Sequence, residues 1–344
     1  MAGGPLTFGI ESQGTSVRAM GALAAAADAA GMDAAWAPEL YNRSATISVA
    51  EMANRTAHCR VGTAIAYGVG RSPLIMAAEA RDLDELSDGR LVLGLGNGTK
   101  RMIADWHGQD PEAPALRMEE LVPLLRKLWL LHEGPIDHEG RFYRLKFKPT
   151  GDVPPPLRER IPIYTAGVNP RMVETAGRVA DGLLGHALFT PAHVEAVVLP
   201  ALEKGAAKTG RELSEVEVAS LVITVVDDAD PERARREAAA QLAFYSSAKT
   251  YAGLLESCGF GSEGEAIREA FGRGDWDGMV AAVSDKMVDA IALAGTGEEV
   301  RAAARRYEGL FDHLILYAPS YGLSAERAEQ NANAVIAAMG EKTR

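Results

Sequence analysis

Residues 60–98, RVGTAIAYGVGRSPLIMAAEARDLDELSDGRLVLGLGNG, read as strand, turn, helix, strand and glycine-rich turn. Arg60 to Tyr67 forms the first strand. Ser72 and Pro73 open the helix, because a hydroxyl side chain caps the first N–H groups and proline tolerates the first helical position. The helix runs to about Ser87 and closes on Ser-Asp-Gly. Leu91 to Leu95 is apolar and nearly continuous, the pattern of a strand buried on both faces. Both strands therefore enter a parallel sheet, with the turns that follow them on one side. In α/β proteins that side carries the chemistry.

The same alternation extends in both directions. Strands are predicted near residues 8, 35, 63, 93, 164, 184, 221 and 315, each followed by a helix. Eight strand–helix units point to a closed (β/α)8 TIM barrel rather than an open doubly wound sheet. No linker rich in Pro, Gly or Ser divides the chain. One domain over 1–344 is expected, with inserted segments near 96–114, 134–160 and 231–290; a small hairpin is predicted within 134–149.

Composition narrows the function. The hydrophobic fraction is 47%, enough for a large core. A net charge of −11 argues against nucleic acid or an anionic membrane as partner. Cys59 and Cys258 are the only cysteines and form no motif, so neither a disulfide framework nor a thiolate metal site is expected. The opening MAGGPLTFGIES has no basic region ahead of an apolar run, and no apolar run approaches the ~20 residues of a membrane span. A cytoplasmic enzyme acting on a small molecule is the expectation.

Its chemistry then belongs to the loops after the strands. Glu39, in PELYNR after strand two, is placed to hydrogen-bond a bound ring or to act as an acid or base; pairing with Arg43 is the plain structural alternative. Gly68 and Gly70, after strand three, allow close approach of a ligand. Asn97 and Gly98 lie in GLGNGT. That run lacks the third glycine of a dinucleotide fingerprint but suits a flat ligand lying against backbone, and Asn97 supplies both a donor and an acceptor. Gly167, Val168 and Asn169, in AGVNP after strand five, open a helix whose N-terminus suits a phosphate, or simply caps it. Of seven histidines, His186 at the end of strand six reaches the mouth, and none forms a metal-binding pair at helical spacing.

Several blocks in order, GTAIAYGVGRSP, LDELSDGRLVLGLGNG, IPIYTAGVNPRMVETAGRVADGLL and DHLILYAP, resemble the bacterial luciferase-like superfamily, and within it the coenzyme F420-dependent oxidoreductases. The resemblance covers nearly the whole chain. It implies a TIM barrel, a homodimer, and F420 or FMN at the C-terminal mouth. It implies a cis peptide between Ala64 and Ile65 against the deazaflavin ring, with Asn97 on the ring edge, Gly167, Val168 and Asn169 on the phosphate, and His186 nearby. The sugar-phosphate dehydrogenases of this group carry Asp-His where this chain has Glu39-Leu40, and Glu where it has Thr99. Their histidine-centred mechanism therefore does not carry over. Hydride transfer with F420, Glu39 anchoring the ring or handling a proton, is the function expected. An FMN-dependent monooxygenase and a non-catalytic flavin-binding barrel are the alternatives.

Overall fold

The structure, a computed structural model, describes residues 4–11, 13, 14 and 16–340. Thr15, expected to open the first helix, and Met1–Gly3 lie outside them. Eight parallel strands close a barrel: β1 (Thr7–Glu11), β2 (Ala34–Ala37), β3 (Arg60–Thr63), β4 (Leu91–Gly96), β5 (Ile163–Ala166), β6 (Gly182–Gly185), β7 (Glu217–Val226) and β8 (His313–Tyr317). Each pairs with the next, and β8 pairs with β1 in the register Thr7 to His313 through Glu11 to Tyr317. Helices α1 (Val17–Ala29), α2 (Ala45–Arg55), α3 (Pro73–Leu86), α4 (Pro114–Trp129), α5 (Pro170–Val179), α6 (Leu199–Ala207), α7 (Pro231–Ser246) and α8 (Ala325–Met339) follow the strands in turn. The caps are those the sequence predicts: Ser72, Asn169 and Asp230 each accept an N–H from the first turn of a helix whose first residue is proline.

Alternation along the strands sorts the core into two layers. Ile10, Ala35, Val61, Leu93, Ile163 and Leu316 pack outward beneath the helices. Trp36, Val92, Tyr164, Leu184, Ala219 and Ile315 fill the interior. Near the N-terminal end of the barrel a buried polar chain locks the closing strands together. Trp36 Nε1–H donates to His313 Nε2 at 3.0 Å, so the proton of this neutral ring sits on Nδ1 and is donated to Thr7 Oγ1 at 2.8 Å. Thr7 then donates to the Asp312 carbonyl, and burial holds the His313 pKa well below the ordinary range.

Three features differ from the sequence reading. The strand expected over Arg60–Tyr67 stops at Thr63, turns at the Ala64–Ile65 peptide and resumes as Ala66–Tyr67 beside β4. The loop 96–114 contains a single wide helical turn, Met102–Trp106. A three-residue strand, Leu293–Gly295, pairs parallel with the tip of β7 at Thr224–Val226. The hairpin is present as Ile136–Glu139 against Arg144–Phe147. Among the described residues no helix is long and apolar enough to cross a membrane.

Candidate active site at the C-terminal mouth

The turn after β3 is built around the Ala64–Ile65 peptide, which is cis. Glu39 holds this turn from the neighbouring loop. Its N–H donates to the Ile65 carbonyl at 3.1 Å, and its Oε2 accepts the Tyr67 N–H at 2.7 Å. Arg71 closes the clamp, donating Nη1–H to Oε2 at 2.9 Å and Nη2–H to Oε1 at 2.6 Å, while its Nε faces Glu79 at 2.8 Å. Both oxygens of Glu39 are thus engaged by Arg71, and not by Arg43, whose backbone pairs with Leu40. The geometry makes Glu39 a brace for the turn, paired with Arg71 rather than with the Arg43 the sequence offered.

Opposite the cis turn, Gly96 lets the Ile65 side chain pack directly on the backbone: a Cβ there would lie 2.8 Å from it. Asn97 is buried and donates Nδ2–H to the Pro114 carbonyl at 3.3 Å, so its donor serves the start of α4 and its oxygen faces no donor among the described residues. Gly98 follows with a positive φ beside the Tyr67 ring. The loop beyond folds back over this turn, setting His107 at 4.9 Å from Tyr67 between ring centres.

The turn after β5 is where the sequence places it, at the N-terminus of α5. Its donors are not all available. Gly167 N–H is spent on the Leu184 carbonyl at 3.1 Å, and Met172 N–H on the Asn169 side chain at 3.0 Å. The N–H groups of Val168, Asn169 and Arg171 make no hydrogen bond among the described residues, so these three and not Gly167 can meet an anion. Gly167 serves by its size. A Cβ there would lie 2.9 Å from the Val173 backbone nitrogen.

His186 directly follows β6 and faces the mouth. Its Nδ1 accepts the Leu188 N–H at 3.2 Å, which puts the ring proton on Nε2. Tyr245 and Tyr251 enclose it at 5.2 and 4.3 Å, and burial lowers its pKa to about 4, so it is a neutral donor.

One residue of the mouth escaped the sequence reading. Glu11, the last residue of β1, is 2% exposed and points inward in phase with Thr7 and Gly9. Burial raises its pKa to about 8, and its Oε2 has no hydrogen-bond partner among the described residues. Its neighbours include the Tyr245 and Tyr317 hydroxyls, each raised in pKa in part by it. The signal was present: an acid on the inward phase at the C-terminal end of the first strand. A groove of about 440 Å³ lies further out, between α1 and α8 and the loops after β2 and β8, bounded by Ala22, Leu40, Leu323 and Ala328, and Glu11 does not line it. Among the described residues no group of three or more His, Cys, Asp or Glu is arranged to hold a metal.

Residues 6–314 match the family model for luciferase-like monooxygenases. The chain belongs to that family. It is 34% identical over 305 residues to an uncharacterized protein of Mycobacterium tuberculosis, covering 85% of this chain and 89% of that one. It is 30% identical over 289 residues to the 5,10-methylenetetrahydromethanopterin reductase of Methanopyrus kandleri, covering 78% and 80%. The solved coenzyme F420-dependent tetrahydromethanopterin reductase of that organism superposes with a TM-score of 0.81 at 26% identity, over 98% of both chains. An F420-dependent secondary alcohol dehydrogenase shares the fold, with a TM-score of 0.73 at 21% identity and full coverage of both chains. The two solved enzymes are F420-dependent, and an oxidoreductase of this luciferase-like barrel class is what the family supports here.

Proposed function

We propose that this protein is a coenzyme F420-dependent oxidoreductase of a small organic substrate, working in the cytoplasm at the C-terminal mouth of the barrel. The observation that carries the reading is Glu11: a buried acid, protonated at neutral pH, with an oxygen no other described group satisfies, set in the same mouth as the cis turn. The deazaflavin, when bound, supplies two-electron hydride exchange at its central ring. The residues present fit such a group. Asn97 offers its oxygen to the ring edge, and Val168, Asn169 and Arg171 offer N–H groups to a phosphate. His186 offers a neutral Nε2–H. Glu39 and Arg71 keep the turn in place, and Glu11 holds the proton that must accompany hydride transfer.

Fluorescence titration with F420 and with FMN tests this. Binding of F420 in preference to FMN is the expected outcome. Tight FMN binding with no response to F420 replaces the reading with a flavin-dependent monooxygenase, and failure to bind either removes it. We further propose a homodimer, supported by the exposed Ile47 on α2 and Ile75 on the adjoining α3.

A further inference from the structure

We propose that the substrate of this mouth is an uncharged molecule built on a planar ring. The inference rests on the reading of the mouth as a hydride-transfer site and adds the class of compound it takes. One wall of the mouth is an unbroken run of rings. Tyr251 lies 4.3 Å from His186, His186 lies 5.2 Å from Tyr245, and Tyr245 adjoins Phe244 at 5.7 Å. Phe244 stacks on Tyr321 at 4.0 Å and 25°. Tyr321 belongs to the turn after β8, meets Trp276 in turn at 5.1 Å and keeps 45% of its surface exposed, so water reaches the run at this ring. The other rim is aromatic as well. Tyr41, after β2, and Trp106, after β4, meet edge to face at 5.7 Å and are 81% and 46% exposed. Rings of this kind offer large flat contact area and hold it with little loss of side-chain freedom.

Charge supplies the second half of the argument. The wall contains no lysine or arginine. Glu11 keeps its proton, His186 is neutral, and burial raises the pKa of the Tyr245, Tyr251 and Tyr317 hydroxyls. Arg71, the cation at the cis turn, is held between Glu39 and Glu79. A phosphate or carboxylate entering against these rings would give up its water and meet aromatic surface in place of a cation, which costs far more than burying a neutral ring.

A matched pair of probes separates the possibilities: 2-naphthylmethanol, neutral, and 2-naphthoate, an anion of the same shape. Isothermal titration of the protein, alone and saturated with F420, is expected to show the alcohol binding at least tenfold more tightly. Tyr321→Ala is expected to weaken the alcohol at least fivefold and leave F420 affinity unchanged, with circular dichroism confirming the fold. Trp106→Ala, on the opposite rim, gives a second reading should Tyr321→Ala not fold. Naphthoate binding as tightly as the alcohol, no binding of either probe, or indifference to the folded rim variants overturns the inference. Binding of the alcohol by a protein that ignores F420 leaves this inference standing and removes the cofactor reading instead.

Discussion

Glu11 and Glu39 are two carboxylates at the ends of neighbouring inner strands, in opposite surroundings. Arg71 and a backbone N–H occupy Glu39, whereas Glu11 meets tyrosines. If Glu11 handles the proton, Glu11→Gln keeps F420 affinity and lowers turnover by ~10²–10⁴; steady-state rates on saturated enzyme check this. The same burial has a consequence for stability. The Glu11 pKa is 4.5 by reference and about 8 in the fold, so between those values the folded chain holds a proton that the unfolded chain releases. Its contribution is full below pH 4.5 and is lost as pH rises toward 8. The substituted Gln cannot ionise, so Glu11→Gln is expected to flatten the fall in Tm across that window, and superimposable Tm–pH curves would contradict the burial argument. Sequence placed Glu39 in the mouth but offered Arg43 as its partner, because Arg43 is near in the chain. Arg71 comes from the turn after β3, a contact only the closed barrel creates.

At the scale of elements, strands and caps were legible because each carries a local signal: apolar β-branched runs for the strands, and Ser, Asn or Asp ahead of proline for the helices. Leu293–Gly295 carries none, being three residues with no β-branched side chain, and exists because the tip of β7 offers it a partner. Two glycines show how elements constrain one another. A Cβ on Gly94 would fall 1.8 Å from the Thr63 carbonyl oxygen, where β3 and β4 approach across the turn. Gly94→Ala must therefore separate the strands, and loss of soluble, cooperatively melting protein is expected. Gly167→Val presses on the first turn of α5 instead. A loss of ~1–3 kcal/mol in denaturant unfolding, with weaker F420 binding, is expected. Unchanged affinity in the destabilised variant would detach this turn from the cofactor.

For the whole molecule, a closed barrel was readable from the count and spacing of the strand–helix units, whereas neighbours brought together only by closure, such as Glu11 with Tyr317 and Tyr245, were not. Association of two chains is a property of the outer surface. If Ile47 and Ile75 lie in the dimer face, light scattering should report a dimer, and Ile47→Glu with Ile75→Glu should yield a monomer of unchanged circular dichroism. A monomeric wild type would remove the dimer. The long strand β7 has a consequence of another kind. The chain leaves its tip at Val226, runs through α7 and the short helices up to Ile291, and comes back as Leu293–Gly295 alongside that same tip. Departure and return are thus one strand spacing apart, about 4.8 Å. The excursion thus closes on itself, so a change of length in its short helices beyond α7, which carry Tyr251, need not move the staves of the barrel.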